Sequence, residues 1–143
     1  MTGREMLYSL LKMDNAINAK FREIESSAQD IYTVKAVQLG ERVQTSPTKG
    51  AGFEKAVEAL VQMQEDAIAK MNEYVETKAK VIDAINDVPD PVHRELLTAR
   101  FVQGLPLEEI ADGMGYVVRH IHRIKDAALD SFDEVWERHE TQL

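Results

Sequence analysis

The chain has no cysteine, few aromatic residues and no long apolar run. Without cysteine it forms neither disulfides nor thiolate metal sites, a usage that suits a reducing cytoplasm. No stretch approaches the roughly 18 consecutive apolar residues that a membrane-spanning helix needs, and the N-terminus lacks the pattern of a signal peptide. The sequence therefore predicts a folded cytoplasmic protein that does not enter a membrane.

Residues that break helices are also scarce, and they fall in few places. Gly40 and the segment 45–52 form one group, which we interpret as a loop. Pro89 and Pro91 form the second group, and two prolines so close together cannot both lie inside a helix. We therefore predict two parts, an N-terminal part of residues 1–88 and a C-terminal part of residues 89–143.

The N-terminal part has the periodicity of two long amphipathic helices. One is predicted from about residue 3 into the thirties, because apolar residues recur there every seven positions, at Leu10, Ile17, Ile24 and Ile31. The other is predicted from about Phe53 to Ile85. Two such helices joined by a loop are expected to form an antiparallel hairpin. Because two helices alone bury too little, we expect this hairpin to form a homodimer or to pack on the C-terminal part.

The C-terminal part predicts three short helical segments with the spacing of a helix-turn-helix. They begin near Pro91, Pro106 and Val117. Ala111 is small enough to let two helices cross, and Gly115 follows four residues later, where a tight turn favours positive φ. Ile121 comes six residues after Gly115 and is expected to fill the space between the helices, with Met114 and Ile124 closing a small core. The predicted fold is all-α, a long antiparallel helical hairpin followed by this module.

A helix-turn-helix places its second helix in the major groove of duplex DNA. The net charge of −8 by itself opposes DNA binding, but residues 116–125 contain three basic residues, two histidines and no acid. Arginines one turn apart can bind guanine or grip phosphate. The predicted base-reading residues are Val118, Arg119, His122 and Arg123, and the predicted backbone contacts are His120, Lys125, Arg94 and Arg100. A solvated helix face is the simpler alternative for each.

The C-terminal part resembles region 4 of sigma-70-type factors. The resemblance is carried by the run from Leu96 to Phe101, the run from Leu107 to Ala111, and by Met114-Gly115-Tyr116, Arg119, Ile121, Arg123 and Ala128-Leu129. It is similar in particular to small phage-encoded regulators with such a C-terminus behind a helical N-terminal part, including late-gene and packaging activators. The resemblance implies binding to promoter or phage DNA and contact with RNA polymerase. The sequence departs from the pattern at Val117, where a Ser or Thr usually caps the recognition helix.

Other functions have weaker support in the sequence. His120 and His122 are two residues apart on a helix and face different ways, so we expect no metal site. The adjacent acids Glu108 and Glu109, like Asp133 and Glu134, diverge on a helix and so do not form a paired general acid and base. The motif of a phosphate-binding loop is also missing. We therefore expect no enzymatic activity and no cofactor. Two alternatives to a DNA-binding regulator stay open. One is a DNA-packaging subunit like a small terminase, and the other is a polymerase-binding protein whose DNA contact is vestigial. The acidic tail from Asp130 is interpreted as a solvated helix end. The alternatives are a partner surface, or an internal mimic of DNA that competes for Arg119 and Arg123.

Overall fold

The computed structural model describes residues 1–40 and 47–142, with side chains described in 1–33 and 52–142. Every regular element in these ranges is helical, which confirms the all-α prediction. The elements are α1 (Gly3–Gly40), α2 (Pro47–Asn86), α3 (Pro91–Leu97), a π-helical segment (Thr98–Val102), α4 (Leu107–Met114) and α5 (Val118–Thr141). No helix in the described ranges has an apolar stretch sufficient to span a bilayer.

The two long helices extend further than the sequence predicts. Gly40 is the last residue of α1, and α2 already begins at Pro47. The predicted loop is therefore wrong for residues 47–52, whereas residues 45 and 46 lie outside the described residues. Proline is tolerated at the first helical position, where its missing N–H would have no partner. Each helical glycine costs only about 1 kcal/mol relative to alanine, so Gly50 and Gly52 do not prevent this 40-residue helix.

The chain divides into two compact units. The first unit is formed by Met1–Asp14 together with Tyr74–Leu143, and the second by Asn15–Glu73. The hydrophobic core of the first unit contains Leu7 and Leu10 from the start of α1 and Val81 and Ile85 from the end of α2. Opposite ends of the two helices thus meet, as an antiparallel pair requires. The end of α3, the π-helical segment and α5 add further residues to this core: Leu97, Phe101, Ala128, Leu129, Phe132, Val135 and Trp136.

The start of α1 lies directly against α5. A Cβ atom at Gly3 would come within 2.8 Å of Phe132 Cδ1 and 3.0 Å of the Asp133 backbone, so glycine permits this close approach. The backbone N–H and Nε of Arg4 donate to the two carboxylate oxygens of Asp133, each at 2.7 Å, and Arg4 Nη2 donates to Asp130 at 2.6 Å. These hydrogen bonds to carboxylates raise the pKa of Arg4. Part of the acidic C-terminal segment is therefore engaged in holding α1.

The second unit has a much thinner core. Among its described side chains, Ile17 and Ala67 are buried. The apolar residues expected to form its seam, such as Ile24, Ile31 and Leu60, are only partly buried. The hairpin therefore leaves much of its apolar surface in contact with solvent.

Candidate DNA-binding module

The module begins at a well-defined helix start. The side chain of Asp90 accepts a hydrogen bond from the backbone N–H of Val92 at 2.9 Å, and Pro91 occupies the first turn of α3. An aspartate cap followed by proline fixes both the start and the direction of a helix. The prediction that a helix starts at Pro91 is confirmed. It continues through the π-helical segment to Val102, and Gly104 follows with φ +73°.

Helices α4 and α5 are joined by a turn that depends on Gly115. This residue caps α4 with φ +75° and ψ +25°, a left-handed conformation that only glycine adopts at low cost. The Tyr116 N–H donates to Ala111 O at 2.9 Å, and the Gly115 N–H donates to Asp112 O at 3.3 Å. These are the two bonds of a Schellman motif. The predicted role of Gly115 is confirmed, and the turn ends α4 four residues after Ala111.

A small separate core holds the module together. It consists of Leu96, Ile110, Ala111 and Ile121, all buried, with Met114 and Ile124 partly buried against them. Ile121 has no exposed surface, and Ala111 is 1% exposed. Helix α5 contacts both α3 and α4. The predicted spacing of alanine, glycine and isoleucine therefore forms a helix-turn-helix in the structure. The residues that were predicted to form its core lie in this core.

The first turns of α5 present the residues predicted to read bases. Arg119, His122 and Arg123 are exposed, and Val118 is 38% exposed. With 100° between successive residues, Arg119 and Arg123 lie opposite the buried Ile121 and Ala128, and Val118 and His122 continue the same surface along one flank of α5. Arg119 and Arg123 are one turn apart, about 6 Å along the axis. The structure thus brings these four residues together on one outward face.

The remaining predicted contacts lie elsewhere. His120 is exposed at the side of this face, where its ring meets the edge of Tyr116 at a centroid distance of 4.9 Å. Lys125 is half-buried on the opposite flank. Their role as contacts to the DNA backbone stays a prediction.

Two arginines predicted to clamp phosphates already have partners within the protein. Arg94 Nη1 donates to the carbonyls of Val88 and Pro89, at 2.6 and 3.1 Å, and Arg100 Nη1 donates to Leu105 O at 3.0 Å. These bonds fasten the connections before α3 and before α4. Each guanidinium has five N–H donors, so further donors remain on both side chains. Their contact with phosphate stays a prediction.

Two residues on or beside this surface were missed in the sequence. Tyr116 is 39% exposed in the turn, and Asp126 is exposed on α5. Asp126 lies three residues after Arg123 and four after His122, so it shares their face. The sequence contains the signal for Asp126, because positions 119, 122, 123 and 126 are neighbours on one face of a helix. The acid places a negative charge beside three potential cations and limits how far along α5 DNA phosphates can approach.

The start of α5 lacks a side-chain cap. Val117 occupies the N-cap position with φ −73° and ψ 151°, it makes no side-chain hydrogen bond, and it is 72% exposed. Its backbone is already in the extended conformation that Ser and Thr adopt at an N-cap. The side chain of valine supplies no oxygen for the first-turn N–H groups, which point outward at the start of the predicted recognition helix.

We therefore expect V117S to stabilise the protein by about 1 kcal/mol, because serine would accept a hydrogen bond from the second or third residue of α5. The measurement is the free energy of unfolding in urea. V117A is the matched control, since it also removes the exposed valine but adds no acceptor. Equal stability of V117S and V117A would show that the helix start gains nothing from a cap.

The match to a known family covers this same module. Residues 90–131 match the family model described as Sigma-70, region 4. No curated protein and no solved structure matches the chain. The matched stretch runs from the Asp90 cap through α3, the π-helical segment, α4 and the turn into the first part of α5. The predicted region-4-like helix-turn-helix is confirmed for this part of the chain, and such a module is typical of DNA-binding regulators.

Proposed function

We propose that this protein is a sequence-specific transcriptional regulator encoded by a phage or prophage. It acts in the cytoplasm without enzymatic activity or cofactor, and it binds double-stranded DNA as a homodimer. The observation that carries the proposal is the exposed face of Arg119, His122 and Arg123 at the start of α5, within a region-4-like helix-turn-helix.

The chemistry of this face fits the major groove. The N-terminal half of a recognition helix faces base edges, and each arginine can donate two hydrogen bonds to O6 and N7 of a guanine. Val118 supplies an apolar contact for a thymine methyl group, and His122 can donate to a base or a phosphate. Asp126, further along the helix, can accept a hydrogen bond from the N4 amino group of cytosine. We expect a short G·C-containing half-site.

The charge distribution predicts how affinity depends on salt. Because the chain carries a net charge of −8 and few basic residues on the binding face, few phosphates are neutralised and non-specific affinity is weak. Base-specific contacts must then provide most of the discrimination between sequences. This regulator therefore differs from highly basic proteins that coat DNA.

The test is selection from a pool of random duplexes, followed by sequencing, at two salt concentrations. We expect an enriched motif with two half-sites whose centres are about one helical turn apart, since a dimer presents two recognition helices. The motif should be the same at both salt concentrations. Recovery of no motif, with binding that disappears at moderate salt, would contradict specific regulation.

A polymerase-binding protein with vestigial DNA contact is the second candidate. The uncapped start of α5 at Val117 favours it, because the usual phosphate-binding hydroxyl is missing there. In this case RNA polymerase would be the main partner, and substitution of the exposed arginines would leave promoter control unchanged. A reporter assay with the arginine variants described in the Discussion separates the two candidates.

A further inference from the structure

Helix α2 carries a second apolar row in addition to the one that forms its core. Val61, Ile68, Val75 and Ile82 are spaced seven residues apart, and their exposed fractions are 45%, 60%, 56% and 37%. We call these four residues the outer row. All four are β-branched, whereas the buried residues of α2, such as Ala67, Val81 and Ile85, occupy other positions of the heptad. Isolated exposed apolar residues are common, but four at a strict heptad spacing are not explained by chance exposure.

The outer row makes the apolar face of α2 wider than a two-helix hairpin can use. A single helix–helix contact needs a narrow seam of two positions in each heptad, whereas a helix in a four-helix bundle touches two neighbours and needs three or more. Helix α1 also carries large apolar residues that the hairpin leaves exposed. Phe21 and Tyr32 are 44% and 72% exposed, and their separation of eleven residues places them on one face of the helix.

We propose that the outer row is the contact surface for a second copy of this chain, and that two hairpins form a four-helix bundle. This inference deepens the dimeric regulator proposed above by naming the residues of its interface. A second copy fits because it offers the same four residues at the same heptad spacing. β-branched residues at heptad positions are common where helices pack against each other in coiled coils. In a two-fold symmetric dimer, the same surface of both chains forms the interface, so each chain contributes its outer row.

The charge along the row supports self-association. The chain carries a net charge of −8, so two copies repel each other over most of their surface. Between Ile68 and Ile82, the residues three or four positions from members of the outer row are Met71, Asn72, Lys78 and Ala79, which include one basic residue and no acid. An acidic chain can therefore approach its own copy here without placing carboxylates opposite each other.

The available area is of the order that a dimer needs. The outer row spans about 32 Å of helix, and a helix face is about 10 Å wide. With the shorter row on α1, each copy offers on the order of 500 Å² before neighbouring side chains are counted, against about 800 Å² per partner in a standard interface. These rows therefore offer more than half of that area.

The test is sedimentation equilibrium of the full chain at micromolar concentration without DNA. We expect the wild-type protein to be a dimer and the variant I68E/V75E to be a monomer, with dimer affinity reduced at least 100-fold. The control is A69E, which adds one of these two negative charges at the exposed neighbouring position on another side of α2. Circular dichroism checks that all variants remain helical, which is expected because both replaced side chains are more than half exposed.

A second measurement uses the absence of cysteine in the chain. A cysteine introduced at an outer-row position is then the only thiol, and oxidation of I68C alone, or of I68C mixed with V75C, should yield cross-linked dimers, whereas A69C should not. A monomeric wild-type protein, an assembly larger than a dimer, or a dimer that persists in I68E/V75E would overturn the proposal. A dimer that persists in I68E/V75E would leave the homodimeric regulator intact and remove only the outer row as its interface, whereas a monomer or a larger assembly would also remove the homodimer from the proposed function. DNA binding itself is tested independently by the selection of duplexes.

Discussion

The double variant R119A/R123A is expected to bind its selected duplex at least about 30-fold more weakly than the wild-type protein. Each arginine that donates two hydrogen bonds to a guanine contributes about 1–3 kcal/mol of discrimination, which corresponds to about 5-fold to 150-fold. The two side chains are exposed and one turn apart on the same face of α5, so both can reach one groove. The measurement is the dissociation constant for the selected duplex and for a scrambled duplex.

The comparison with R138A separates base recognition from general charge. Arg138 is also an exposed arginine on α5, but it lies near the C-terminal end of the helix. R138A should change affinity less than threefold at moderate salt. If R119A/R123A and R138A weakened binding equally, or if scrambled and selected duplexes lost affinity alike, these arginines would not read sequence. Retained promoter control in the double variant would favour the polymerase-binding alternative.

The variant I121A is expected to lose about 2–5 kcal/mol of stability, because truncating a buried isoleucine removes apolar contacts and leaves a cavity. Ile121 lies on α5 and is fully buried in the small core that α5 forms with α3 and α4. The neighbouring side chains are held on packed helices, so they close the gap only in part. The free energy of unfolding in urea measures the loss, and DNA affinity should fall with it because the angle between α4 and α5 is no longer fixed.

The conservative variant I121V provides the graded control. Removing one methylene is expected to cost about 0.5–1.5 kcal/mol and to leave DNA affinity almost unchanged. A loss below about 1 kcal/mol in I121A would contradict the description of this residue as the centre of the helix-turn-helix core. Unchanged DNA affinity in a strongly destabilised I121A protein would contradict the link between this core and the recognition face.

The sequence was most informative where one residue type alone satisfies a local requirement. Gly115 was predicted from the need for positive φ, and it has φ +75°. Ala111 and Ile121 were predicted from the size of the space between crossing helices, and both are buried. Such constraints act over a few residues, so they can be recognised without knowledge of the rest of the fold.

Other features depend on contacts between residues far apart in the chain. The close approach of Gly3 to Phe132 and the hydrogen bonds from Arg4 to Asp130 and Asp133 join residues more than 120 positions apart, and no local pattern indicates them. The carbonyl partners of Arg94 and Arg100 depend on how the connections fold. The predicted start of α2 near Phe53 is later than the observed start at Pro47. Glycine and proline locally indicate a loop, but a long helix can include them near its N-terminus.

The outer row shows a different limit of sequence analysis. The heptad of α1 and the period of α2 predicted two amphipathic helices, but which apolar residues face inward depends on the packing of both. The period alone does not separate Val61 and Ile82 from the apolar residues that face inward. The structure leaves them exposed at 45% and 37%. Exposure, which a sequence does not give, turns these residues into a candidate interface.

The central claim is that the start of α5 contacts DNA, and amide chemical-shift mapping with the selected duplex tests it most directly. Labelled full-length protein is titrated with the duplex, and shifts of backbone amides are followed without any substitution. The account predicts the largest shifts at residues 117–126, smaller ones in α4, and little change in residues 52–73. Shifts concentrated in α1 and α2, with the amides of Arg119 and Arg123 unchanged at saturation, would contradict it.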